Sequence, residues 1–79
     1  MTNLEKYTKI FVEIFQITES EAAGLTYQSI QAWDSVGHME LIARLEAAFE
    51  IMMETEDIID LSSFAKGRDI LRKYDVEIE

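Results

Sequence analysis

Trp33-Asp34-Ser35-Val36-Gly37-His38-Met39-Glu40-Leu41-Ile42-Ala43-Arg44-Leu45-Glu46-Ala47-Ala48-Phe49-Glu50 is the stretch in which an aperiodic segment turns abruptly into a helix. His38, Leu41, Ile42, Leu45 and Phe49 recur at intervals of three and four, which places them in one apolar stripe over about four turns. Val36, Met39, Ala43 and Ala47 make a second, thinner stripe on another face, beside Glu40 and Glu46. Such a helix has a core side and a docking side. Glu40 and Arg44 are spaced to pair along it and add modest support.

Working outward, Ile17 to Trp33 has no helical period. Gly24, Thr26 and Ser29 are turn formers, while Leu25, Tyr27, Ile30 and Trp33 are apolar enough to pin a long loop onto a core. So long a loop in so small a chain suggests function. Before it, Leu4, Tyr7, Ile10, Phe11, Ile14 and Phe15 predict an amphipathic helix from about Asn3 to Gln16, capped by Thr2 or Asn3. After the central helix, Ile51-Met52-Met53-Glu54 breaks the period, and a short helix is expected over about 55–60 with Thr55 as cap. Ser62 or Ser63 then caps a last helix reaching about Tyr74, burying Phe64, Ile70, Leu71 and Tyr74. Gly67 inside that helix points to close packing. The tail 75–79 is expected to be loosely ordered. The predicted fold is all-α: one domain over 1–79, a small bundle of three main helices plus one short helix, with a long loop between the first two main ones.

Composition bounds the chemistry. Seventy-nine residues without cysteine must be held by apolar packing alone, and 48% hydrophobic content supplies the material. No apolar run approaches the roughly 20 residues of a membrane span, and the first residues lack a basic-then-apolar signal pattern, so a cytoplasmic protein is expected. The net charge is −9, and residues 34–60 carry −7 of it, with eight acids against Arg44 alone. That field disfavours nucleic acid and attracts basic patches on protein partners; it is also what any solvated acidic surface looks like.

Several site types are excluded. One histidine and no cysteine give no zinc constellation, and three scattered glycines give no phosphate-binding loop. Residues 54–60 lack the glycine turn and alternating ligands of a calcium loop. Asp34, Ser35 and His38 lie too close on one helix start to form a catalytic relay, so the chain is not expected to be an enzyme. Asp34-Ser35 leaves two readings open. One is an ordinary helix cap. The other is a serine at a helix mouth, where backbone N–H groups favour an attached phosphate and the adjacent carboxylate helps hold Mg²⁺ while that phosphate is transferred.

At Asp34-Ser35-Val36 the sequence resembles the acyl carrier protein family, which usually reads Asp-Ser-Leu there. Met39 to Glu50 is similar to the family's acidic recognition helix, and Ile58, Ile59, Leu61, Phe64, Ile70 and Leu71 fit the remaining pattern across essentially the whole chain. The resemblance implies a 4′-phosphopantetheine arm, moved from coenzyme A onto Ser35 by a phosphopantetheinyl transferase, with Asp34 supporting the modification. Its thiol would carry acyl groups as thioesters in fatty-acid, polyketide or specialised lipid chemistry. Val36, Met39 and Ala43 would form a contact ridge, with Glu40, Glu46 and Glu50 meeting basic patches on acyl-activating ligases or synthases. The carrier itself would be a monomer. An acidic helical interaction module without a prosthetic group, or a peptidyl or aminoacyl carrier, is the alternative, although the Gly-Gly-x-Ser style of peptidyl carriers is absent.

The chain departs from the family pattern at Val36, at Gly37 where an acid is common, at Trp33 before the aspartate, and at Glu54 where proline is frequent. These departures favour a specialised member. His38 is read as a packed neutral side chain, Trp33 as a loop anchor, and Met52 and Met53 as adaptable core fillers.

Overall fold

Helix α1 (Asn3–Phe15) starts where the sequence supplies a reciprocal cap. Thr2 Oγ1 accepts from the Glu5 backbone N–H at 3.1 Å, and the Glu5 carboxylate accepts from the Thr2 N–H at 3.0 Å. Two otherwise unpaired donors are thereby satisfied. Thr18 and Glu21 repeat the device at the head of α2 (Glu19–Ala22). The computed structural model describes residues 1–79 and continues with α3 (Ser35–Phe49), α4 (Thr55–Asp60) and α5 (Phe64–Arg72). The protein is a small all-α bundle with three longer helices and two short ones. No helix is long and apolar enough to cross a membrane.

The extra helix, α2, lies inside the segment expected to be loop. Its four residues bury only Ala22, too little for a helical period to show. The remainder of that segment is stitched down by its backbone. Tyr27 N–H donates to Ser62 C=O at 2.8 Å and Phe64 N–H to Leu25 C=O at 2.9 Å, pinning the loop to the α4–α5 junction.

A single cluster of 17 buried apolar side chains draws on α1, α2, α3 and α5, on the loops, and on the tail. Tyr7, Ile10, Phe11 and Phe15 face it from α1, and Leu41, Ile42 and Leu45 from α3. No side chain of α4 belongs to it; Ile58 packs against its edge.

Five expectations are corrected. Arg44 pairs with Glu13 on α1 and not with Glu40, because its place on α3 faces that neighbour. Glu54, without a side-chain bond, takes the cap position of α4 in place of Thr55. Helix α5 ends at Arg72, and Tyr74 falls in the tight turn that follows, before Asp75 with φ 61°. Met53 is buried, but Met52 is 87% exposed and fills no core. The tail is docked, not loose: Val76 and Ile78 are buried, and Leu4 N–H and Asn3 Nδ2 donate to the carbonyls of Glu79 and Glu77. Asp75-Val76-Glu77-Ile78-Glu79 alternates strictly, so an extended chain puts both apolar side chains on one side.

Just past α5, Tyr74 Oη and, at 2.9 Å, Lys73 Nζ clasp the Asp57 carboxylate of α4. These bonds, Tyr74 foremost, hold the Asp57 carboxyl below the usual aspartate range. A depressed carboxylate stabilises the fold above its unfolded value of about 4, and loses that contribution as pH falls through the lower folded value. Asp57→Asn is therefore expected to be less stable than wild type at neutral pH, with the gap closing as the solution is acidified below about pH 4. Urea midpoints measured across that range check this; an offset independent of pH would remove Asp57 from the acid response.

Candidate functional site at the start of α3

Asp34, in extended conformation, is the N-cap of α3: its Oδ1 accepts the Gly37 N–H at 2.8 Å. The capping role at Asp34-Ser35 is thus performed by the aspartate. Ser35 becomes the first helical residue, exposed, with its hydroxyl free of intramolecular hydrogen bonds. Ser29 and Ser63 differ, since their hydroxyls are committed to nearby backbone.

A cavity of about 330 Å³ opens beside Ser35. Met39 from α3, Ile58 and Ile59 from α4, and Leu61 after it supply its apolar lining. Tyr27 and His38 add aromatic surface, and the hydroxyl-bearing Ser35 and Ser62 complete it. Sequence reasoning singled out Ser35 but not Tyr27 or Ser62 as its neighbours. The two are brought there by the loop-to-junction backbone bonds, for which the sequence carries no local signal.

His38 ties these elements together. Trp33 Nε1–H donates to His38 Nδ1 at 3.0 Å, and His38 Nε2 bonds the Ile58 carbonyl at 2.7 Å. The indole and imidazole lie side by side, 15° from coplanar with centroids 6.1 Å apart, so the hydrogen bond runs in their shared plane. Trp33 itself is completely buried against Phe11 and Phe15. It anchors the loop, and with it the start of α3.

One side of α3 faces solvent. Val36 is 72% and Met39 54% exposed, and Glu40, Ala43 and Glu50 are exposed with them. At 100° per residue these positions and Glu46 fall on one face, so the residues expected to contact partners do share a surface. They are not equivalent. Glu46 is half-buried and its Oε2 accepts the Met53 N–H at 2.8 Å, which fixes the α3–α4 connection. Glu50 ends the helix in left-handed conformation (φ 55°), about 20 Å along it from Ser35. Ile59, 73% exposed on α4, extends the apolar surface on the far side of the cavity from Val36 and Met39.

Asp57 is buried against Lys73, so its charge is not part of the exposed acidic field; Glu40, Glu50, Glu54, Glu56 and Asp60 are. No group of three or more His, Asp or Glu side chains is arranged to hold a metal ion. No protein-family model, curated protein or solved structure matches the chain.

Proposed function

We propose that the protein is an acyl carrier that tethers acyl groups through a 4′-phosphopantetheine arm on Ser35. The observation that supports this best is the division of roles at the head of α3. Asp34 caps the helix, so the Ser35 hydroxyl is exposed, unbonded and placed beside an apolar cavity. A phosphate attached there meets the backbone N–H groups and the positive end of a 15-residue helix. The arm supplies a terminal thiol on which acyl groups are held as thioesters, chemistry that a chain without cysteine lacks.

In this reading the chain is not a catalyst. A phosphopantetheinyl transferase installs the arm from coenzyme A, with Asp34 beside the acceptor hydroxyl. Acyl-activating ligases or synthases then dock on Val36, Met39 and Ala43, their basic patches meeting Glu40, Glu50 and the outer edge of Glu46. Contacts between exposed charges are screened by salt and short-lived, which suits a carrier that must leave each enzyme.

Incubation with coenzyme A and a broad-specificity phosphopantetheinyl transferase is expected to add the mass of one arm to the wild-type protein. Ser35→Ala should abolish the addition, and Ser62→Ala should leave it intact. No mass gain with several such transferases would reject the carrier reading and leave an acidic helical interaction module.

A further inference from the structure

Helix α4 closes one side of the cavity beside Ser35 through Ile58 and Ile59, yet it contributes no side chain to the buried apolar core. Six residues are far too few to be stable alone. Beside the edge packing of Ile58, polar ties hold it: the Asp57 carboxylate to Tyr74 and Lys73, and the Ile58 carbonyl to His38. The second tie caps one of the carbonyls that so short a helix leaves without an internal partner.

Donor and acceptor types fix the state of His38. An indole N–H only donates and a carbonyl only accepts. The bonds to Trp33 and Ile58 therefore require a neutral imidazole, with its proton on Nε2 and its lone pair on Nδ1. A second proton, on Nδ1, sets two N–H donors against each other across the 3.0 Å Trp33–His38 contact. Trp33 cannot yield, because it is completely buried and packed against Phe11 and Phe15. The imidazolium must swing away from the indole. Since its other nitrogen holds Ile58, the ring either carries α4 with it or lets it go.

We propose that His38 is a proton-operated latch: neutral, it pins α4 across the cavity beside Ser35; protonated, it displaces α4 and widens that cavity. The titratable groups around it are few. Tyr27 from the loop meets the imidazole edge-on at 5.4 Å, and Asp34 caps its own helix. On α4, Asp57 is turned to Tyr74 and Lys73, while Glu56 and Asp60 are exposed. His38 forms no ion pair with any of them. The latch belongs to the unmodified chain and operates whether or not Ser35 carries an arm.

Amide hydrogen exchange at Ile58, Ile59 and Leu61, corrected for intrinsic exchange, tests it at about pH 7.5 and about pH 5.5. Wild type should lose roughly tenfold protection at the lower pH, in line with one part-buried hydrogen bond given up. His38→Gln, which keeps an acceptor and a donor but does not titrate, should stay protected at both. His38→Phe should exchange fast at both. The single tryptophan gives an independent readout beside the single histidine: Trp33 fluorescence should titrate in wild type and stay flat in His38→Gln. Undiminished protection or flat fluorescence in wild type overturns the latch. So does an equal loss in His38→Gln, which would place the acid response outside His38, and so does slow exchange in His38→Phe.

Discussion

Trp33→Ala is expected to lower stability by about 3–5 kcal/mol, the range for deleting a large buried aromatic. A domain of this length has only about 4–12 kcal/mol in total, so the variant should sit near the edge of folding. The cost follows from what the indole touches. It stacks on Phe15 at 5.2 Å, meets Phe11 edge-on at 5.6 Å and donates to His38. Deleting it empties the space between α1 and the loop and leaves the head of α3 unanchored. Trp33→Phe keeps most of the packing, loses the hydrogen bond and part of the ring, and should cost about 1–2 kcal/mol. Urea unfolding followed by circular dichroism measures both, since the fluorescent probe is itself removed. A loss below about 1 kcal/mol for Trp33→Ala would mean that the loop is held by its backbone bonds and not by this side chain.

Trp33 shows what a sequence can and cannot convey. Its role as loop anchor was legible, because a tryptophan at the end of an aperiodic segment has few other places to go. The periodic faces of α1 and α3 were equally legible, as three- and four-residue spacings map directly onto burial. Elements without a period were harder. α2 was announced only by its capping box, and the docked tail only by the alternation from Asp75 to Glu79. Long-range placements left no local trace at all. Ser35 was readable as a candidate, but the cavity beside it depends on Tyr27 and Ile59, which neighbour it only after the chain has folded. Gly37 is the clearest instance. By family pattern its lack of an acid suggested specialisation, whereas the structure gives a steric reason. A Cβ there would run into the Ala32 carbonyl oxygen and lie 3.3 Å from Phe15 Cε1. Backbone cannot step aside as a flexible side chain does, so any larger residue at this position must displace the loop or the helix.

Gly67 poses the same problem with a removable obstacle. Alanine is ordinarily worth about 1 kcal/mol over glycine inside a helix, so Gly67→Ala in an open helix would stabilise. Here the added Cβ falls on Tyr7 Oη and comes within 3.2 Å of Tyr7 Cζ and 3.4 Å of Leu61 Cδ2. Tyr7 is completely buried, and burial pushes its phenol pKa upward, so it stays protonated and donates to the Phe64 carbonyl at 2.7 Å. It has no room to retreat. Gly67→Ala is therefore expected to cost about 2–3 kcal/mol through overpacking, opposite in sign to its helix propensity. Tyr7→Phe alone should cost about 1–2 kcal/mol for the lost bond. Combined, the two should cost less than their sum by about 1–2 kcal/mol, because removing the hydroxyl removes the atom that the new methyl strikes. Chemical unfolding of the two single variants and the double variant closes the cycle. Strict additivity would show that α1 and α5 adjust their spacing to admit the methyl, and that the glycine is not what sets their close approach.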